Sequence, residues 1–166
     1  MEKVAETIRF VVPMVGNRQR NAYMQRVIQA NLQDVPVLLI DGRSHAAITA
    51  ANSVIVASGT ATLEVALLKK PMVIAYKQMW ATWQIMRRMA YQPWVGLPNI
   101  LAREFLVPEL LQNAATPITL ADAVWTQLHD DKLVARLQQR FLEMHHSLLR
   151  DSAKESAQAI LQIINK

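Results

Sequence analysis

Apolar residues in this chain form short runs separated by turn signals, and amphipathic stretches lie between them. Val54 to Ala57 and Met72 to Tyr76 are unbroken apolar runs, the pattern of strands buried on both faces of a parallel sheet. Thr7 to Val15 and Val37 to Ile40 read as two earlier strands, ended by Pro13 and Gly16 and by the pair Asp41-Gly42. Asn17 is placed to cap a helix over Gln19 to Leu32, with Tyr23, Val27 and Ile28 facing inward. Ser44 is placed to cap a short helix ending at Ala50, and Ala61 to Leu68 reads as a third helix because Ala and Leu favour that state. This alternation predicts an α/β fold, a Rossmann-like parallel sheet with helices on both faces.

Past Tyr76 the pattern changes. Met79 to Ala90 is amphipathic and rich in Trp and Met, and Trp94 to Ile100 reads as a last short strand and loop. From Val107 onward every segment reads as helix: Pro108 to Gln112, Leu120 to His129, Lys132 to Leu149 and Ala153 to Ile164, with Thr119 and Ser152 as N-caps. No repeat, low-complexity tract or linker interrupts the chain. A single domain is expected over 1–166, with an α/β part over 7–100 and a helical tail over 107–166.

At 166 residues, with 52% hydrophobic and 19% charged residues, the chain has the composition of a globular protein with a proper core. No apolar run is long enough to span a bilayer, and the opening Met1-Glu-Lys-Val-Ala-Glu does not resemble a signal peptide. The absence of cysteine excludes disulfides and thiol chemistry and fits a cytoplasmic location. The net charge of +5 draws on Lys69, Lys70, Lys77, Arg87, Arg88 and Arg103 in mid-chain. Such an excess suits anionic lipid, a phosphorylated substrate or nucleic acid, and a plain solvated surface stands beside them. Nucleic acid is the weakest of these, since no zinc spacing, RNP-type aromatic motif or basic-region helix is present.

The chemistry gathers in Ser53 to Glu64, where a strand feeds the small-residue turn Ser58-Gly59-Thr60 and then a helix. Unpaired backbone N–H groups and the positive end of the helix dipole meet at that turn, the usual seat of a phosphate. Glu64, about one turn in, can accept from sugar hydroxyls. The competing reading is ordinary capping by Ser58 or Thr60, with Glu64 completing the pattern. Open parallel sheets bind ligands beyond their strands' carboxyl ends, which adds Asp41-Gly42, Tyr76-Lys77 and Pro98-Asn99 as rim candidates. No catalytic constellation is visible. His45, His129, His145 and His146 carry no metal-ligand spacing, and His145-His146 reads as a solvated helix face. Asp130-Asp131 reads as a break between two helices. Trp80 and Trp83 share a helix face suited to packing, with a membrane-surface role as the alternative.

Several segments taken in order resemble the C-terminal part of lipid-A-disaccharide synthases, glycosyltransferases of two-domain GT-B architecture. They are Val11-Val-Pro-Met-Val15, Leu39-Ile-Asp-Gly42, Ala57-Ser-Gly-Thr-Ala-Thr-Leu-Glu64, Lys70-Pro-Met-Val-Ile-Ala-Tyr76, Gly96-Leu-Pro-Asn-Ile-Leu-Ala102 and Leu106-Val-Pro-Glu-Leu-Leu-Gln112. The resemblance implies transfer of a diacylated glucosamine from UDP to lipid X, a diacylated glucosamine 1-phosphate, with release of UDP. It implies a cytoplasmic protein peripheral to the anionic inner membrane of a Gram-negative bacterium, and no metal or other cofactor. By that pattern Ser58, Gly59 and Thr60 meet the diphosphate and Glu64 the ribose. Asn99 faces the cleft, and the backbone near Asp41 and Gly42 meets the uracil.

Two positions depart from the family's pattern: Lys77 stands where Arg is usual, and Arg103 where Gly commonly follows the Asn-Ile-Leu-Ala stretch. The acceptor domain with its general base, and the first strand of the nucleotide domain, have no counterpart in the sequence. The chain alone is therefore expected to be inactive and to leave inner strand edges unpaired, with the missing half or a second copy as partner. Other readings are a MurG-like transferase or a UDP-GlcNAc epimerase of the same architecture, or a non-catalytic module binding a partner or membrane.

Overall fold

In the computed structural model, residues 8–89 and 91–164 are described. Thr7 and Ala90, which the sequence pattern places at the ends of elements, lie outside them. The chain divides into two compact units, Met1–Asn52 and Ser53–Lys166.

The first unit runs β1 (Phe10–Met14), α1 (Asn17–Gln29), β2 (Val37–Asp41) and α2 (Ser44–Ala50). β1 and β2 pair in parallel from Phe10↔Val37 to Met14↔Asp41. The turn out of β1 is made by Gly16, whose φ of 82° is open to glycine and strained for most other residues. The expected caps do not form. Gly16 itself occupies the N-cap of α1 and Asn17 is already helical, while Arg43, in a left-handed conformation, precedes α2 in place of Ser44. Tyr23 and Val27 are half-buried as expected, but Ile28 is exposed, one residue off the stripe that faces the strands.

The second unit holds a parallel sheet in the order β3-β4-β5, from β3 (Val54–Val56), β4 (Met72–Tyr76) and β5 (Glu109–Leu111). Its helices are α3 (Thr60–Leu67), α4 (Trp80–Met89), α5 (Leu97–Ala102), α6 (Pro117–His129), α7 (Asp131–Leu148) and α8 (Ser152–Ile164). A 3-10 turn over Gln112–Ala114 follows β5. β4 is central, and Met72, Val73 and Ile74 are wholly buried, as an unbroken apolar run predicts. Val65 and Ala66 of α3, Val107, and Leu137 and Phe141 of α7 are buried too; α3 packs on β4, and α7 packs on α3 and α5. A buried polar clamp ties α6 to the strands: Gln127 Nε2 donates to the Met72 carbonyl at 2.7 Å and Oε1 accepts from Ser53 Oγ at 2.6 Å.

β3 is not buried on both faces, contrary to the sequence pattern. It is an edge strand of its sheet, and Ile55 is 52% exposed. The Val54 N–H donates to the Pro71 carbonyl, so strand alternation turns the Ile55 backbone groups the other way. No strand pairs with that side among the described residues, nor with the outer side of β1.

Two elements change type. Trp94 to Ile100 is not a strand: Leu97–Ala102 is helix α5, with Pro98 in its first turn, where a missing N–H costs nothing. A six-residue helix is too short to show a period. Pro108 to Gln112 is not helix but β5. Glu and Leu favour helix weakly, and the buried backbone of β4 needs a second ladder, which outweighs that preference.

The later helices form as expected, with shifted caps. Thr116 caps α6, and Thr119 is its reciprocal partner at the third helical position. Asp151 Oδ1 accepts from Lys154 N–H at the head of α8, a position expected for Ser152. Asp130 separates α6 from α7 and caps the latter through Leu133 N–H. His145 is not part of a solvated face: its Nδ1 lies 2.5 Å from Lys69 Nζ, linking α7 to the end of α3.

Arg103 closes α5 with a φ of 55°. A left-handed conformation costs a non-glycine residue roughly 1–2 kcal/mol, partly offset by the extra chain freedom glycine loses on folding. Arg103→Gly is therefore expected to stabilise the fold by about 0.5–1 kcal/mol, read from urea-unfolding midpoints.

Candidate functional site

The site is built at the carboxyl end of β3, where the chain turns through Ser58 and Gly59 into α3. Gly59 is the N-cap residue, at φ 144° and ψ −167°, and no side chain caps the helix. An added Cβ there meets nothing within 4 Å, so conformation rather than space calls for glycine. The capping reading is thereby overturned. The Ser58 hydroxyl donates instead to the Val95 carbonyl at 3.4 Å, and Thr60 is the first helical residue. The turn is held from inside by Thr62, wholly buried, whose hydroxyl and N–H both donate to the Gly59 carbonyl at 2.7 and 3.1 Å. Gly59, Thr60 and Ala61 are exposed, and their N–H groups meet no protein acceptor among the described residues. Chemically this is a cluster of donors at a positive helix end, open to an anion.

Glu64 is half-buried on the next turn of α3. Lys77 is exposed just past β4, whose Ile74 lies level with Val56 of β3. Lys77 therefore stands on the same rim as the turn, and Glu64 lies one turn down the helix from it. Asn99 does not share that rim, and its expected place facing a cleft is corrected. It is wholly buried, with Nδ2 donating to the Val107 carbonyl (2.9 Å) and Glu109 Oε1 (2.8 Å), while Oδ1 accepts from Val107 N–H (2.9 Å). Glu109 also accepts from Val95 N–H at 2.9 Å and Gly96 N–H at 2.8 Å. Asn99 thus acts on the turn through protein, since the Val95 stretch it braces receives the Ser58 hydroxyl.

Asp41 and Gly42 lie in the first unit. The Asp41 carboxylate pairs with Arg20 at 2.7 Å, and the Gly42 N–H donates to the Met14 carbonyl. Thr62 and Glu109 went unnoticed in the sequence. Thr62 carries a local signal, a threonine three residues after a turn glycine, whereas Glu109 looks like any surface carboxylate. No group of three His, Cys, Asp or Glu side chains suited to a metal occurs among the described residues. Nor is any described helix long and apolar enough to cross a membrane.

A family model described as lipid-A-disaccharide synthetase matches residues 1–164. The chain belongs to the lipid-A-disaccharide synthetase family. A lipid-A-disaccharide synthase from Burkholderia lata is 49% identical over 166 residues, covering 100% of this chain and 42% of the relative. One from Paraburkholderia phymatum is 50% identical over 157 residues, 95% of this chain and 40% of the relative. One from Burkholderia pseudomallei is 49% identical over 165 residues, 99% and 42%. The chain therefore spans about two-fifths of the length of these curated relatives. Lipid-A-disaccharide synthetases are glycosyltransferases of lipid A biosynthesis, and membership replaces the MurG-like and epimerase readings.

Proposed function

We propose that this chain is the donor-binding part of a lipid-A-disaccharide synthase, holding a UDP-linked diacylglucosamine while its sugar passes to lipid X. The products are the disaccharide 1-phosphate and UDP. The observation that carries the reading is the exposed, unpartnered run of N–H groups from Gly59 to Ala61 at the head of α3. These donors would take the diphosphate, with the Lys77 ammonium adding a point charge and the Glu64 carboxylate meeting ribose hydroxyls. As UDP departs, charge grows on the β-phosphate, and fixed donors aimed there stabilise that charge without reorganising. Glycosyl transfer also needs a general base for the acceptor hydroxyl. It is assigned to the part of the enzyme that the relatives' length covers and this chain does not, so these 166 residues alone are expected to bind donor without turning it over.

Attachment to an anionic membrane surface belongs to the same proposal. Met79, Trp80 and Ile85 are exposed on or beside α4, with Arg88 on the same helix, the mixture that lies in a headgroup layer.

Isothermal titration with UDP tests the cradle. The informative variant is Ala61→Asp, because a carboxylate in the first turn suits the helix dipole while competing with phosphate for the same donors. UDP affinity is expected to fall by at least about tenfold, with stability unchanged or raised by about 0.3–1 kcal/mol. A folded wild-type chain that ignores UDP, or an Ala61→Asp variant that binds as well as wild type, overturns the reading.

A further inference from the structure

We propose that the Gln112 carboxamide positions the bound nucleotide sugar by donating a hydrogen bond to an uncharged oxygen, a hydroxyl or a carbonyl, that lies beyond the diphosphate. This rests on the reading of the α3 terminus as the diphosphate cradle. Gln112 directly follows β5 and so stands on the rim where open parallel sheets take ligands. Its Oε1 accepts from the Gln78 N–H at 3.4 Å, in the loop after β4, and this contact assigns the oxygen end of the amide to that loop and leaves the NH2 end for another partner. The NH2 end is buried and makes no hydrogen bond among the described residues. A buried donor left without an acceptor is unfavourable, so its persistence calls for an oxygen that the folded chain does not provide. The residue also holds a left-handed backbone, φ 51°, which a glutamine adopts only under constraint.

The register gives the range. Tyr76 pairs with Leu111, so Gln112 is level with Lys77, and the order β3-β4-β5 sets it two strand spacings, about 10 Å, across the sheet from the line of β3. An extended nucleoside diphosphate sugar is longer than that span. A ligand anchored by its diphosphate at α3 therefore carries one of its uncharged ends toward β5. A neutral NH2 suits a neutral oxygen, whereas the anionic centre already has backbone donors and an ammonium.

The test titrates wild type, Gln112→Met and Gln112→Glu with UDP and with UDP-N-acetylglucosamine, with near-UV circular dichroism reporting the fold. Glu keeps the acceptor toward Gln78 and the side-chain shape, and Met removes the donor without adding charge. Both variants are expected to weaken UDP-N-acetylglucosamine about three- to tenfold. UDP weakens equally if the oxygen is on the nucleoside and holds its affinity if the oxygen is on the hexose. Unchanged affinities in folded variants overturn the proposal, as does a loss confined to Gln112→Glu, which would report charge alone. A wild-type chain that binds neither ligand removes the cradle as well, whereas wild-type binding with unaffected variants removes only the role of Gln112.

Discussion

Asn99→Ala will cost the second unit about 3–5 kcal/mol, seen as a lower urea midpoint with unchanged slope. The substitution strips the Val107 N–H and carbonyl of their partners in a dry interior, takes one donor from Glu109 and leaves a cavity. Each orphaned buried group costs about 1–3 kcal/mol, against a whole-domain stability of about 5–15. Asn99→Asp separates charge from space. It puts a second carboxylate beside Glu109, so its deficit should be larger near neutral pH and shrink on acidification, when a shared proton restores one donor. UDP binding should weaken alongside, because the braced Val95 stretch receives the Ser58 hydroxyl. A midpoint within error of wild type would show that Val107 finds other partners.

Gly96→Ala is expected to cost about 3 kcal/mol for a different reason. At φ −81° the backbone of Gly96 suits any residue, so the obstacle is space alone. A Cβ there would lie 2.2 Å from Ile74 Cδ1 and 3.2 Å from Glu109 Oε1. Ile74 is wholly buried on the central strand, so moving its Cδ1 aside displaces packed neighbours and overpacking is costly. Removing the offending methyl should repair much of the damage. Gly96→Ala with Ile74→Val is expected to be more stable than the sum of the single changes by about 1 kcal/mol or more. Strict additivity would sink the close-approach account.

How far the fold could be read from the sequence follows from where each segment draws its stability. Val54 to Val56 and Met72 to Tyr76 declare themselves as strands because each is a short apolar run bounded by turn signals, although the run alone did not show that the first lies at a sheet edge. α6 and α7 repeat over enough turns to show their period. Leu97–Ala102 and Glu109–Leu111 are short and take their form from neighbours: one from a proline that suits a first turn, the other from the unpaired edge of β4. The turn at Ser58-Gly59-Thr60 was legible as a strand–turn–helix junction. Whether it was capped was not, because serine and threonine hydroxyls have several acceptors within reach and only the fold selects among them. Asn99 was misread for a related reason. A polar residue in a short motif suggests a ligand, yet here its three hydrogen bonds are to the protein itself.

The outward rail of β3 is only three residues long, and a single residue, Ile55, turns both its amide and its carbonyl away from β4. So short a docking edge offers an incoming strand almost no ladder with which to recognise its register. A strand laid along this edge would find its register through the side chains around Ile55 more than through main-chain pairing. Such a fit would be one of hydrocarbon against hydrocarbon, and polar substitution at that one position would blur it.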